Sequence, residues 1–124
     1  MTRPPMLSND QRRWTWPQVR RAKQQVGETV AWLIRQAGIK NLEPSQVEIV
    51  WYVPDKRRRD VDSLGPFAKA ALDGMVDAGV WPGDDSKWVT KLSMSIDQTQ
   101  TKHARIEIRV SENWIGEKTP YAKK

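Results

Sequence analysis

Residues 46–53, Gln-Val-Glu-Ile-Val-Trp-Tyr-Val, alternate as a strand does, yet both faces carry apolar groups. Val47, Ile49, Trp51 and Val53 share one face, and Val50 and Tyr52 lie on the other. A strand apolar on both sides belongs inside a sheet rather than at its edge. Whatever else the chain forms must therefore supply neighbours for this segment.

The flanking segments have the right periods. From Pro17 to Gly38, Val19, Ala22, Val26, Val30, Leu33, Ile34 and Ala37 recur at spacings of three and four, which predicts a helix. Pro17 suits its first turn and Gly38 its C-terminal cap. The opposite face carries Arg20, Arg21, Lys23 and Gln24. A second helical stripe runs from Leu64 to Ala78 through Ala68, Ala71, Leu72, Met75 and Val76, with Pro66 in the first turn and Gly79 beyond the end. Trp81 to Asp85 reads as a turn. Trp88, Thr90, Leu92, Met94 and Ile96 then alternate, as do Ala104, Ile106, Ile108 and Val110, and these two strands are expected to pair as an antiparallel hairpin across Asp97–Lys102. A short opening strand fits within the irregular arm of residues 1–16, and residues 112–124 read as a loose tail. The order (β)-α-β-α-β-β predicts an α/β (α+β) fold, one mixed sheet packed with two helices. At 124 residues the chain is expected to form a single small domain over 1–124.

Composition narrows the chemistry. Cysteine is absent and histidine occurs once, which excludes disulfides, Cys-based zinc or Fe–S ligation and a Cys nucleophile. No apolar run approaches the roughly 20 residues of a membrane span. The start, MTRPPMLSND, has no apolar signal core, so a cytoplasmic protein is expected. The net charge is +6, and all of it lies in residues 1–40, which hold eight cations and two acids. A concentrated positive field of this kind suggests a polyanion such as nucleic acid, with Arg12, Arg13, Arg20, Arg21 and Lys23 as candidate contacts. The alternative is that these cations only solvate a helix face.

The sharpest local pattern is Lys56-Arg57-Arg58-Arg59-Asp60-Val61-Asp62, with a second acidic pair at Asp84-Asp85. Two Asp residues one apart at a strand-to-helix junction can aim at one point. If strands 47–53 and 88–96 are neighbours, their ends could bring Asp85 to join them. Three carboxylates without His or Cys make an oxygen-only site suited to Mg²⁺ or Mn²⁺ rather than zinc. The competing assignment is structural, with Asp62 capping the second helix and Asp84 and Asp85 shaping a turn.

Taken together, Arg57 to Leu64, Lys69-Ala70-Ala71-Leu72-Asp73, Ala78-Gly79-Val80-Trp81 and Asp84-Asp85 resemble the RusA family of Holliday junction resolvases, over about residues 45–112. The stretch from Pro4 to Asp10 is similar to that family's Pro/Asn-rich start. The resemblance implies a small metal-dependent endonuclease, a homodimer that cuts four-way DNA junctions by paired incisions in recombination and repair. It implies metal-binding acids at Asp60, Asp62 and Asp85, an essential cation at Lys69, Mg²⁺ as cofactor with Mn²⁺ as a substitute, and DNA contacts from the run Arg57, Arg58 and Arg59. Ser63 stands where the family has Asn. Lys69 comes seven residues after Asp62 rather than four, with Gly65-Pro66-Phe67 as the apparent insertion, which is expected to loop out before the helix begins. Rival functions are a non-catalytic basic DNA-binding module and a generic structure-selective nuclease. Of the seven Trp residues, Trp51 and Trp88 are expected in the core or an interface. Trp14 and Trp16 are expected to pack across a dimer or to stack on unpaired bases, and His103 is expected to have no catalytic role.

Overall fold

The computed structural model describes Pro4, Leu7 and residues 14–113. Helix α1 spans Trp16–Ala37 and begins at a reciprocal cap. Gln18 donates its backbone N–H to the Thr15 hydroxyl, and Thr15 donates its N–H to Gln18 Oε1 at 2.8 Å. Gly38 closes the helix with φ 72°, a left-handed turn that glycine adopts without steric cost. Ala22, Val26, Val30, Ala31 and Ile34 are buried. Leu33, expected on the buried stripe, is half exposed, because it sits one position away from Ile34 around the helix and falls on the flank.

Strand β1 is Ser45–Tyr52, β2 is Val89–Asp97 and β3 is Arg105–Glu112. A 3₁₀ turn over Val61–Leu64 leads directly into helix α2, Gly65–Asp77. The sheet order is β2-β1-β3, so β1 is central as its two apolar faces require. β1 pairs in parallel with β2 and antiparallel with β3. The expected β2–β3 hairpin is therefore not formed. α2 is the crossover that returns the chain to lay β2 parallel beside β1, which leaves the far edge of β1 for β3. The connection after Asp97, with its 3₁₀ turn at Thr101–His103, carries the chain across to that edge.

α2 is buried on more than one face. Phe67, Ala68, Ala70, Ala71, Leu72, Gly74 and Met75 are all inaccessible, which places α2 inside the apolar core shared with α1, Val47 and Ile49. The expected loop-out of Gly65-Pro66-Phe67 does not occur. Gly65 and Pro66 form the first turn of α2, and Phe67 is fully buried, so the segment is absorbed into the helix and anchored by its aromatic ring. A second apolar cluster joins Leu64 to Trp51, Val53 and Leu7. The helices touch backbone to backbone at Gly27 and Gly74.

On the other face of the sheet, Val50 and Tyr52 are buried. Long charged side chains shield Tyr52. The Arg105 guanidinium lies over the Tyr52 ring at 3.9 Å, and Arg109 donates to the Tyr52 hydroxyl at 2.6 Å while pairing with Glu48 and Glu107. Trp81, expected in a turn, is buried and donates its indole N–H to the Ser45 hydroxyl at 3.2 Å. The expected opening strand falls outside the described residues, apart from buried Pro4 and Leu7, and the tail beyond Asn113 lies outside them too.

Candidate active site

The chain leaves β1 through Val53-Pro54 and turns at Asp55. The carboxylate of Asp55 accepts the Arg57 backbone N–H at 3.0 Å and the guanidinium of Arg59 at 2.9 Å, and it pairs with the Arg57 guanidinium at 3.2 Å. The Arg57 N–H, with help from Arg59, holds the Asp55 carboxyl below the usual carboxylate range. Arg59 also donates to the carbonyls of Asp55 and Arg57, both at 3.1 Å, and its guanidinium lies 5.2 Å from the centre of the Trp51 ring. Only 14% of the Arg59 side chain is exposed, against 77% for Arg57. The basic run is thus divided. Arg59 faces inward and braces the loop, Arg57 shares Asp55, and Lys56 and Arg58 are exposed with no ion pair among the described residues.

Asp60 follows at once in extended conformation, and its carbonyl accepts both the N–H and the hydroxyl of Ser63, the latter at 2.7 Å. Ser63 thereby closes the 3₁₀ turn that carries Asp62. Both carboxylates, Asp60 and Asp62, are exposed, and neither makes a side-chain hydrogen bond among the described residues. Asp62 does not cap α2, whose N-cap position is Leu64 with no side-chain cap bond. Two carboxylates one residue apart thus remain uncommitted beside a braced cationic loop.

Lys69 lies in the second turn of α2. Its ammonium bonds Asp84 at 2.9 Å and Asp73, four residues on along α2, at 3.1 Å. Asp84 above all, then Asp73, raises the Lys69 pKa, and Lys69 in turn lowers that of Asp84. The pair is intact across the neutral range. Its contribution is lost only as pH falls through the depressed Asp84 value or rises through the elevated Lys69 value. Lys69 is therefore a standing positive charge and not a proton acceptor. Replacement of Asp84 by Asn should return the Lys69 side chain toward the ordinary lysine value, and an NMR titration of its ε-methylene checks this. No change on replacement would place the cause elsewhere.

Asp85 is committed to its own turn. Its carboxylate accepts the Lys87 N–H at 3.0 Å, and its carbonyl accepts the N–H groups of Trp88 and Val89. Because β1 and β2 are parallel, this turn stands where β1 begins, bonded through Trp88 to Ser45. Asp60 and Asp62 come after β1 has ended, next to Leu64 on Trp51 and Val53. The neighbouring strands expected beside Asp85 are present, and the Asp84–Asp85 turn is tied to the start of α2 through Lys69 and Asp84. Among the described residues no three acidic or histidine side chains are grouped so as to hold a metal ion. The donors themselves are the hard oxygen type that Mg²⁺ or Mn²⁺ takes, and Mg²⁺ commonly uses only one or two carboxylates plus substrate phosphate. Asp60 and Asp62 fit that requirement.

Arg20, Arg21 and Lys23 are exposed on α1, with Arg20 5.8 Å from the ring centre of Trp16, itself 67% exposed. Arg12 and Arg13 lie outside the described residues. Trp14 packs against the core, Trp51 is buried and Trp88 is half-buried. His103 is exposed in the 3₁₀ turn, where its carbonyl accepts from Arg105. Sequence reasoning passed over Asp55 and assigned no ion pair to Asp73 or Asp84. Asp73 was detectable from its i,i+4 spacing to Lys69, and Asp55 from the turn signal of Pro54-Asp55 two residues before a backbone N–H it can bind. Among the described residues no helix is long and apolar enough to cross a membrane.

The chain matches the family model of the endodeoxyribonuclease RusA over residues 1–111. Over 69 residues, 56% of this chain and 52% of the relative, it is 36% identical to the crossover junction endodeoxyribonuclease RusA of Escherichia coli strain K12, and equally to that of Shigella sonnei. It is 35% identical over 69 residues to the crossover junction endodeoxyribonuclease of Enterobacteria phage 82. The chain spans about half the length of the curated relatives it matches. With the family model covering most of the chain and the fold a mixed sheet with two helices, this protein belongs to the RusA endodeoxyribonuclease family.

Proposed function

We propose that this chain is a divalent-metal-dependent endodeoxyribonuclease that resolves four-way DNA junctions by paired incisions, acting as a homodimer in the cytoplasm. The single observation that carries the reading is the uncommitted Asp60–Asp62 pair set directly behind a braced cationic loop, in a chain of this family. The relatives' names speak of crossover junctions, which supports that substrate.

Asp60 and Asp62 are the ligands proposed for Mg²⁺, with Mn²⁺ as a substitute. A divalent ion held there supplies charge neutralisation at the scissile phosphate and activation of the attacking water. Asp85 is proposed as a third ligand of the same ion, from the turn that Lys69 ties to α2. A dimer matches the two-fold symmetry of a junction that needs two cuts. Lys69 presents a permanent charge that would stabilise negative charge on phosphate or the leaving oxygen. Lys56, Arg57 and Arg58, with Arg20, Arg21 and Lys23 on α1 and Arg12 and Arg13 before it, are proposed to hold backbone phosphates, which positions DNA without reading its sequence.

A labelled four-way junction incubated with the protein, with Mg²⁺ and separately with chelator, tests the reading. Ion-dependent nicking near the crossover, with little cutting of linear duplex or flap controls, is expected. Binding without nicking would instead mark a DNA-binding module, and equal cutting of all substrates a generic nuclease.

A further inference from the structure

The arginine run is held in shape by an acid that precedes it. Asp55 is the hub of the loop between β1 and Asp60. Its two oxygens receive the Arg57 N–H, the Arg57 guanidinium and the Arg59 guanidinium at 3.0, 3.2 and 2.9 Å. Arg59 then ties the loop back on itself through two carbonyls and rests over the buried Trp51 ring. Every one of these contacts falls within the seven residues that separate β1 from Asp60 or on the strand itself. A loop of this length without internal ties would let Asp60 sample many positions, since each unfixed residue keeps its backbone freedom.

We propose that Asp55 is a positioning residue for the acidic pair: by clasping Arg59 against Trp51 and holding the Arg57 amide, it fixes the backbone that aims Asp60 and Asp62. The same clasp withholds positive charge. Arg59 and, in part, Arg57 are neutralised by Asp55, so the phosphate-binding strength of the run is less than its four cations suggest. Geometry is thus gained at the expense of DNA affinity. This inference rests on the nuclease reading above, although half of it can be tested without cleavage.

Asp55→Asn and Arg59→Lys are the informative variants. Asn keeps an acceptor but loses the ion pairs; Lys keeps the charge but loses the fork that reaches two carbonyls and a carboxylate. Both should cut a four-way junction at least 10-fold more slowly at saturating DNA, with junction binding kept and the melting temperature little changed. In Asp55→Asn the dependence of log binding constant on log salt should steepen by about 0.9 for each arginine released to phosphate. Backbone amides of residues 56–63 should exchange faster in both variants than in the parent chain, a measurement that needs neither DNA nor activity. Unchanged exchange in that segment, or unchanged cleavage at saturation by a parent chain that cuts, overturns the positioning role. Loss of cleavage, binding and melting temperature together overturns it in favour of a purely structural role. If the parent chain does not cut at all, the nuclease reading fails, while the exchange result still decides whether Asp55 shapes the loop.

Discussion

Replacement of Asp62 by Asn is expected to reduce junction cleavage by about 10²- to 10³-fold while junction binding is retained or strengthened. The reduction follows from the loss of one of two uncommitted carboxylates proposed to hold the ion, whose charge stabilisation is worth several kcal/mol at about 1.4 kcal/mol per tenfold in rate. Binding is retained because the contacts proposed to hold phosphate lie elsewhere, and removal of a negative charge near phosphate reduces repulsion. The variant should fold normally. Asp62 is exposed, makes no side-chain hydrogen bond among the described residues and does not cap α2, so stability should stay within about 0.5 kcal/mol of the parent. Single-turnover cleavage and a binding titration in chelator, run on the same preparation, separate the two effects. A variant that loses binding along with cleavage, or that cuts at the parent rate, would remove Asp62 from the site.

The second large effect concerns the fold that carries the site. A methyl group placed on Gly74 would lie 2.5 Å from the Gly27 carbonyl oxygen and 3.0 Å from its Cα. The obstruction is backbone, so no side-chain rotation relieves it, and α1 and α2 must separate. Overpacking of this kind costs typically 1–3 kcal/mol and occasionally more, against about 1 kcal/mol gained when Ala replaces Gly in a helix. A clash with backbone takes the upper end of that cost, so Gly74→Ala should be destabilised by about 2 kcal/mol, a fall in melting temperature on the order of 10 °C for a domain of this size. Gly27 faces the same crossing, yet a methyl there meets nothing nearer than 3.9 Å. Gly27→Ala should gain roughly 0.5–1 kcal/mol of helix propensity and melt several degrees higher. Opposite signs at two glycines of one contact, read by thermal unfolding, test the helix crossing directly. Equal effects would mean that the helices pack differently.

Much of this arrangement was legible in the residues. The two apolar faces of β1 placed it at the centre of the sheet, and Gly38 marked the end of α1. Alternation also identified β2 and β3, but alternation only says which side chains share a face. It does not say which strand lies next to which, and so the hairpin expected between them was replaced by a parallel and an antiparallel neighbour on either side of β1. Gly65-Pro66 looked like a loop because both residues punctuate chains, but Pro is equally at home in a first helical turn, and burial of Phe67 decided for the helix. In the basic run, charge alone could not tell which cation turns inward. Trp51 behind it and Asp55 before it select Arg59, and that choice depends on the direction in which the chain leaves β1.

The proposed reaction is a paired, ion-dependent incision by two copies of this chain. A supercoiled plasmid that extrudes a four-way junction reads it directly. Two cuts made within one encounter linearise the plasmid, whereas isolated nicks relax it to open circles. With Mg²⁺, the chain should convert supercoiled plasmid to linear product with cuts placed symmetrically about the crossover, and with chelator it should give neither product. Accumulation of open circles ahead of linear product, or no ion-dependent product at all, would rule out paired, ion-dependent incision.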